Sequence, residues 1–322
     1  MTFTRFPGLT RRRLLMGLAA ASLYSAGPTG LSRALAGTAV KRAPGGVTAL
    51  AFEQGRLVLA ADDIWLSPDG GANFMPTSEK PGSVVTALAA HPDHPGMIYA
   101  ATTTGGLLRS VDAERSWQAV GTGLPQAPLD AVAIAAHDPA TVYVAVRGDG
   151  LWQSKDGAQS WEFAMDRPLE GKVERDVVSL ASVGILSGMG GIWVFAGTEA
   201  GVARVPDCFC RWSGLGKDVA MDALASGPKA VAAAAARHLP REPVRSLALA
   251  PSVPDVLFAA LPSGIWKTDD TGETWTLVTA ALASPCLAVN PNDPNHIVAA
   301  DAGGTMLSSR DGGFTWAAPA AV

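Results

Sequence analysis

An eight-residue pattern with an aspartate in its third position and an aromatic residue five positions later recurs six times, and it constrains the fold more than any other feature. The copies are Ser67–Phe74, Ser110–Trp117, Ser154–Trp161, Val205–Trp212, Thr268–Trp275 and Ser309–Trp316, with acids Asp69, Asp112, Asp156, Asp207, Asp270 and Asp311. The fourth copy, Val205-Pro206-Asp207-Cys208-Phe209-Cys210-Arg211-Trp212, is degenerate. Intervals between the acids are 43, 44, 51, 63 and 41 residues. Each copy lies in a longer unit: Val84–Ala90, Met97–Thr102, Gly106–Ser110 and Ser116–Val120 read as four short strands, and the same phases recur over Leu129–Ala164, Val244–Thr279 and Pro285–Ala318. A four-stranded unit of about 40 residues, repeated around a circle so that each sheet packs on the next, predicts an all-β chain: a β-propeller of antiparallel blades. The longest interval exceeds the shortest by 22 residues (63 against 41), too little for another blade, so six blades are expected. Residues 38–43 are the candidate for closing the ring against the last blade.

The pattern has a physical role in the hairpin between third and fourth strands. The aspartate accepts bonds from backbone N–H groups of its own turn, and the following glycine supplies positive φ. The hydroxyl residue before the tryptophan occupies the remaining carboxylate oxygen. The rings of Trp117, Trp161, Trp212, Trp275 and Trp316 then pack on the neighbouring blade, each burying on the order of 150–250 Å². These residues read as fasteners, not catalysts.

Ser/Thr-x-Asp-x-Gly-x-Thr/Ser-Trp resembles the Asp-box of BNR-repeat propellers, a group that includes sialidases, sortilin-type receptors and photosystem II assembly factors. The resemblance covers nearly all of residues 47–318. It implies a propeller fold, and either a glycosidase or a binding platform.

Residues 1–36 predict a cleavable export signal. Arg11, Arg12 and Arg13 precede an apolar stretch from Leu14 to about Ala26, and Ala34-Leu35-Ala36 forms a small-residue cleavage site. The apolar stretch is shorter than the roughly 20 residues that span a bilayer. The paired arginines after Thr10 resemble a twin-arginine signal; an Arg-rich general secretory signal is the alternative. The mature chain, 37–322, is expected to be periplasmic or secreted in a bacterium and not membrane-spanning. Five of the 25 basic residues fall in the signal, leaving 20 against 29 acids, a net of −9 that argues against a nucleic-acid partner.

The reactive-looking residues divide by slot. His91, His94, His137 and His296 fall in turns between first and second strands, and turn chemistry accounts for them better than a metal does. Trp65, Trp152 and Trp266 lie four residues before the acid, and core packing explains them. Tyr99 and Tyr143 occupy the second-strand slot held elsewhere by Phe195, Phe258 and Val298, so the nucleophilic tyrosine that sialidase resemblance implies has no candidate. No catalytic residue and no cofactor is assigned. Cys208 and Cys210 sit in the degenerate copy and Cys286 two blades away; idle thiols are the first reading, with a soft-metal site or an intermolecular link as alternatives, and a Cys-x-Cys bridge reads as strained.

Two connections on the face opposite the acid-centred hairpins are long. Asp166–Asp176 carries Asp166, Arg167, Glu170, Lys172, Glu174, Arg175 and Asp176; the insertion at 214–243 has an Ala-rich run, Val231–Ala236, that predicts a short helix, and includes Arg237 and Arg241. Both flank the fourth blade. The sequence therefore predicts an exported, non-catalytic platform that docks a protein partner there, with a glycan-binding protein or glycoside hydrolase as the alternative.

Overall fold

The computed structural model describes residues 43–320 apart from 78–80, 105, 171, 188–190, 215–238 and 281–285. The export segment, the Ala-rich run and Arg237 lie outside the described residues.

The chain is a six-bladed β-propeller. Blade 1 comprises Ala49–Glu53, Arg56–Ala60, Ile64–Ser67 and Met75–Pro76, and blade 2 Val85–Ala90, Ile98–Thr102, Leu107–Ser110 and Gln118–Ala119. Blade 3 comprises Leu129–Ala135, Asp138–Val146, Gly150–Ser154 and Glu162–Asp166; blade 4, Val177–Leu186, Ile192–Thr198, Gly201–Pro206 and Ser213–Gly214. Blade 5 comprises Ser246–Leu249, Leu257–Leu261, Gly264–Thr268 and Thr276–Thr279. Blade 6 has three strands, Cys286–Asn290, Asp293–Ala300 and Met306–Ser309, and a single antiparallel bridge from Ser308 to Ala317 stands where its fourth would run.

Alternation of side chains explains the packing. Second strands such as Ile98–Thr102 are buried on both faces because a blade lies on each side. At the narrow centre the first strands present alanine: Ala51 pairs with Val58, Ala89 with Tyr99, Ala133 with Tyr143, Ala181 with Phe195, Ala248 with Phe258 and Ala288 with Val298. A small inner residue beside a larger one fits the taper of a radial sheet.

Six apolar cores fill the six clefts between adjacent blades, and each receives the aromatic of one acid-centred hairpin. Phe74 packs between blades 6 and 1, Trp117 between 1 and 2, Trp161 between 2 and 3. Trp212 packs between 3 and 4, Trp275 between 4 and 5, and Trp316 between 5 and 6. The first strands of successive blades touch, including those of blades 6 and 1, so the ring closes. Beside that closure the Gly46 N–H donates to the Ala302 carbonyl at 2.8 Å, and buried Ala43 joins the core between blades 6 and 1. Of the residues expected to close the ring, 38–42 lie outside the described set. Gly304 has φ +79° and a Cβ there would meet the carbonyls of Ala43 and Pro44 at 2.9 and 2.8 Å, so the approach requires glycine.

Candidate partner-binding face of the fourth blade

Five acid-centred hairpins share one hydrogen-bond pattern. In blade 3 the Ser154 hydroxyl donates to Asp156 Oδ1 at 2.8 Å, the N–H groups of Gln159 and Ser160 donate to the same oxygen at 2.9 Å, and the Ser160 hydroxyl donates to Oδ2 at 2.5 Å. Ser154 Oγ in turn accepts the Ala158 N–H at 2.9 Å. Asp69, Asp112, Asp270 and Asp311 repeat this, with Asn73 supplying the last donor in blade 1. The Ser160 and Thr315 bonds hold Asp156 and Asp311 down at about 2. The six acids sit in six separate hairpins and do not converge on one site.

The hairpin of blade 2 departs at one position: Glu114 stands where blades 1, 5 and 6 have Gly71, Gly272 and Gly313, at φ +61°. Its buried carboxylate meets Arg56 Nη2 at 3.2 Å, and Arg56 also pairs with buried Glu53, whose Oε1 accepts the Gly96 N–H at 2.5 Å. Burial pushes Glu114 up to about 7 despite Arg56, with Glu53 adding to the rise.

The central channel is lined by both apolar and polar residues in and beside the first strands, with Thr48, Thr86, Ser179, Arg245 and Ser246 toward one end and His91 and Ser182 among the walls of the larger cavity. One cavity of about 170 Å³ is bounded by first-strand residues such as Leu50, Leu88, Val132, Leu180, Leu247 and Leu287. Tyr99 and Tyr143 are fully buried in the clefts, and burial pushes both phenols up. His91 lies buried in the turn between Val85–Ala90 and Ile98–Thr102, His296 lies buried in the strand Asp293–Ala300, and burial lowers both. The His296 ring sits edge-on to Phe52 at 5.2 Å, and His91 Nδ1 accepts the Asp93 N–H at 3.2 Å. Among the described residues no cluster of three metal-ligating side chains occurs.

The reading of Cys208 and Cys210 as idle thiols, metal ligands or an intermolecular link is corrected: the two form a disulfide with Cα atoms 5.5 Å apart. The reason is local. Phe209 between them adopts φ +51°, a left-handed turn that swings both sulfurs to one side. Cys286 is a free, buried thiol.

On the opposite face, the connection 166–176 folds back as a two-stranded hairpin, Leu169–Glu170 with Val173–Glu174. Its charges are largely spent on one another. Arg167 pairs with Glu174 and, at 3.1 Å, with Asp176; Arg175 meets Glu170 at 3.2 Å. Arg241, from the far end of the insertion, reaches the other Glu170 oxygen at 3.1 Å, so the structure does bring the two long connections together. Asp166 and Lys172 are exposed and outside any ion pair among the described residues. Residues 239–242 are tied down: Leu239 packs on the core between blades 4 and 5, and Glu242 accepts the Ser263 N–H at 2.8 Å.

Between these connections lies a groove of about 250 Å³. Pro168, Leu169, Trp212 and Leu239 give it apolar walls; Arg175, Arg211, Arg241 and Glu170 set its charge, three guanidiniums against one carboxylate. The Trp212 Nε1–H donates to the Asp166 carbonyl at 2.8 Å, fixing the indole between the groove and the blade 3–4 core. Leu169 is 63% exposed and Val173 51%. Sequence reasoning missed Arg211 and gave Trp212 only a packing role, although the loss of the hydroxyl before Trp212 was the readable signal.

No protein-family model and no curated protein matches the chain. Solved structures do. A GH74 xyloglucanase from Xanthomonas campestris is similar at 17% identity and TM-score 0.51, over 84% of this chain and 45% of that one. YCF48 bound to D1 peptide is similar at 15% and 0.50, over 87% and 84%. The extracellular domain of BT4673 from B. thetaiotaomicron is similar at 13% and 0.52, over 82% and 32%. What they share with this chain is the propeller fold. The chain spans about half the length of the GH74 enzymes it matches. Among the described residues no helix is long and apolar enough to cross a membrane.

Proposed function

We propose that the chain is an exported BNR-type propeller, directed by a twin-arginine signal in residues 1–36, that holds a protein partner instead of turning over a substrate. The partner contributes an extended segment with acidic and apolar side chains, seated in the groove beside blade 4. The observation that carries this reading is the groove itself: a preformed concavity with an indole at its wall and an excess of guanidinium on its rim. Support also comes from the other sites. Five of the six repeated carboxylates are tied by their own turns, and the tyrosines are buried. YCF48, similar in fold, is seen bound to D1 peptide; the proposal extends peptide capture on a propeller to this chain.

Peptides selected from a displayed library on the purified chain test the reading. Selected sequences are expected to be acidic and apolar, and exposed-site variants Arg211→Glu and Arg241→Glu should each weaken them about tenfold, near the size of one lost charged contact. Undiminished binding to both variants would overturn the groove assignment. Hydrolysis of sialosides or aryl glycosides would overturn the non-catalytic reading in favour of a glycoside hydrolase of the BNR class.

A further inference from the structure

The fourth hairpin lacks both side-chain donors that tie the aspartate in the other blades, having Val205 and Arg211 in their places. The Cys208–Cys210 bridge spans the same turn and encloses one residue. Both cysteines are exposed. The path of the turn is nevertheless held without the bridge: the Asp207 N–H donates to the Ile192 carbonyl at 2.9 Å and the Phe209 N–H to the Pro206 carbonyl at 2.8 Å. The Phe209 ring packs edge-on against buried Tyr143 at 5.8 Å. A cross-link stabilises a fold mainly by shortening the unfolded chain's loops, and more for longer loops, so a one-residue loop adds little. Exposed bridges of this kind exchange readily with thiols.

The surroundings suit exchange. Cys208 lines a hollow of about 310 Å³ together with His137, Tyr143, Lys155 and Asp207, which gives an incoming sulfur room to approach. Arg211 directly follows Cys210, and a cationic neighbour favours a departing thiolate, while Asp207 opposes it; Lys155 on the wall is paired with Glu162 at 2.7 Å. Cys286 is buried in the cleft between blades 6 and 1 and is remote from this hairpin.

We propose that the Cys208–Cys210 disulfide is a thiol–disulfide exchange centre that oxidises a dithiol in another protein. A partner thiolate enters the hollow and attacks Cys208 Sγ. The Cys208–Cys210 bond breaks, the new mixed disulfide forms, and Cys210 leaves as a thiolate that takes a proton from water. The partner's second thiolate then attacks the partner sulfur of the mixed disulfide, closing the partner's own disulfide and releasing Cys208. Two electrons pass from the dithiol to the cysteine pair. The inference stands on blade 4's hairpin and does not depend on occupancy of the groove.

The test mixes the oxidised full-length chain with a reduced two-cysteine peptide and follows both partners by alkylation and mass. The expected result is stoichiometric peptide oxidation, about tenfold faster than with the same concentration of oxidised glutathione. The double variant Cys208→Ser/Cys210→Ser should show no acceleration. A bridge that survives excess peptide unreduced, or a double variant as active as the parent, overturns the proposal. The reduced chain should also melt within about 5 °C of the oxidised one; a larger fall would mark the bridge as a structural staple and overturn it equally.

Discussion

The hairpins of blades 5 and 4 occupy equivalent places and are closed by different chemistry. In blade 5, Asp270 accepts from the Thr268 hydroxyl at 2.7 Å, the Thr274 N–H at 2.8 Å and the Thr274 hydroxyl at 2.6 Å, and Trp275 is 4% exposed. In blade 4 the residue before the tryptophan is Arg211; no hydroxyl is held there, a disulfide spans the turn, and Trp212 is half-buried. A position committed to fastening in one blade faces a groove in the other. Repetition makes five hairpins structurally obliged, and the degenerate copy, free of that obligation, is where the proposed binding site lies.

The sharpest way to break this comparison is Trp275→Ala against Trp212→Ala. Removing the buried indole of blade 5 should cost about 3–5 kcal/mol in denaturant unfolding, and removing the half-buried one distinctly less. Equal losses would mean the fourth copy fastens as firmly as the rest.

Glu114 in blade 2 offers a second departure from the regular pattern. Its carboxyl is raised to about 7 from an ordinary 4.5. A raised acid contributes stability in its protonated form, fully present below 4.5 and lost as pH rises through 7. Glu114→Gln should therefore gain on the parent between pH 4.5 and 8, by up to about 3 kcal/mol, read as the difference between their unfolding curves. A pH-independent difference would contradict the burial account.

Asp270→Ala should cost about 2 kcal/mol, since three donors lose their acceptor. Asp207→Ala should cost under about 0.5 kcal/mol, because the fourth hairpin has neither hydroxyl. Smallest of all is acid sensitivity from His91 and His296. Both are lowered by burial, so their contribution is present above the ordinary 6.5 and lost as pH falls below it. His296→Phe should soften that decline between pH 7 and 5, read as the difference between the unfolding curves of variant and parent.

The architecture was legible because acid, aromatic and strand phases recur at fixed offsets: Asp156 and Trp161 predict their hairpin as plainly as Asp311 and Trp316 do. The second-strand slot was legible too, since Tyr99, Tyr143, Phe195 and Phe258 share it. Local exceptions were not. The Cys208–Cys210 bridge depends on an aromatic residue in a left-handed conformation, which sequence preference argues against. The 166–176 segment read as a run of free charges because its ion pairs depend on a hairpin too short to show periodicity. Arg241 meets Glu170 across the insertion, a contact that spacing along the chain does not encode. Blade 6 carries a full pattern and yet has a bridge at Ala317 in place of a fourth strand.

The claim that fastening and binding are divided between copies of one motif is tested most directly by measuring affinity for a selected peptide in two variants of known melting temperature, Asp270→Ala and Arg211→Glu. The account predicts that Asp270→Ala melts earlier and binds as the parent does, while Arg211→Glu melts as the parent does and binds about tenfold more weakly. A lost affinity in Asp270→Ala with the fold intact, or full affinity in Arg211→Glu, would contradict it.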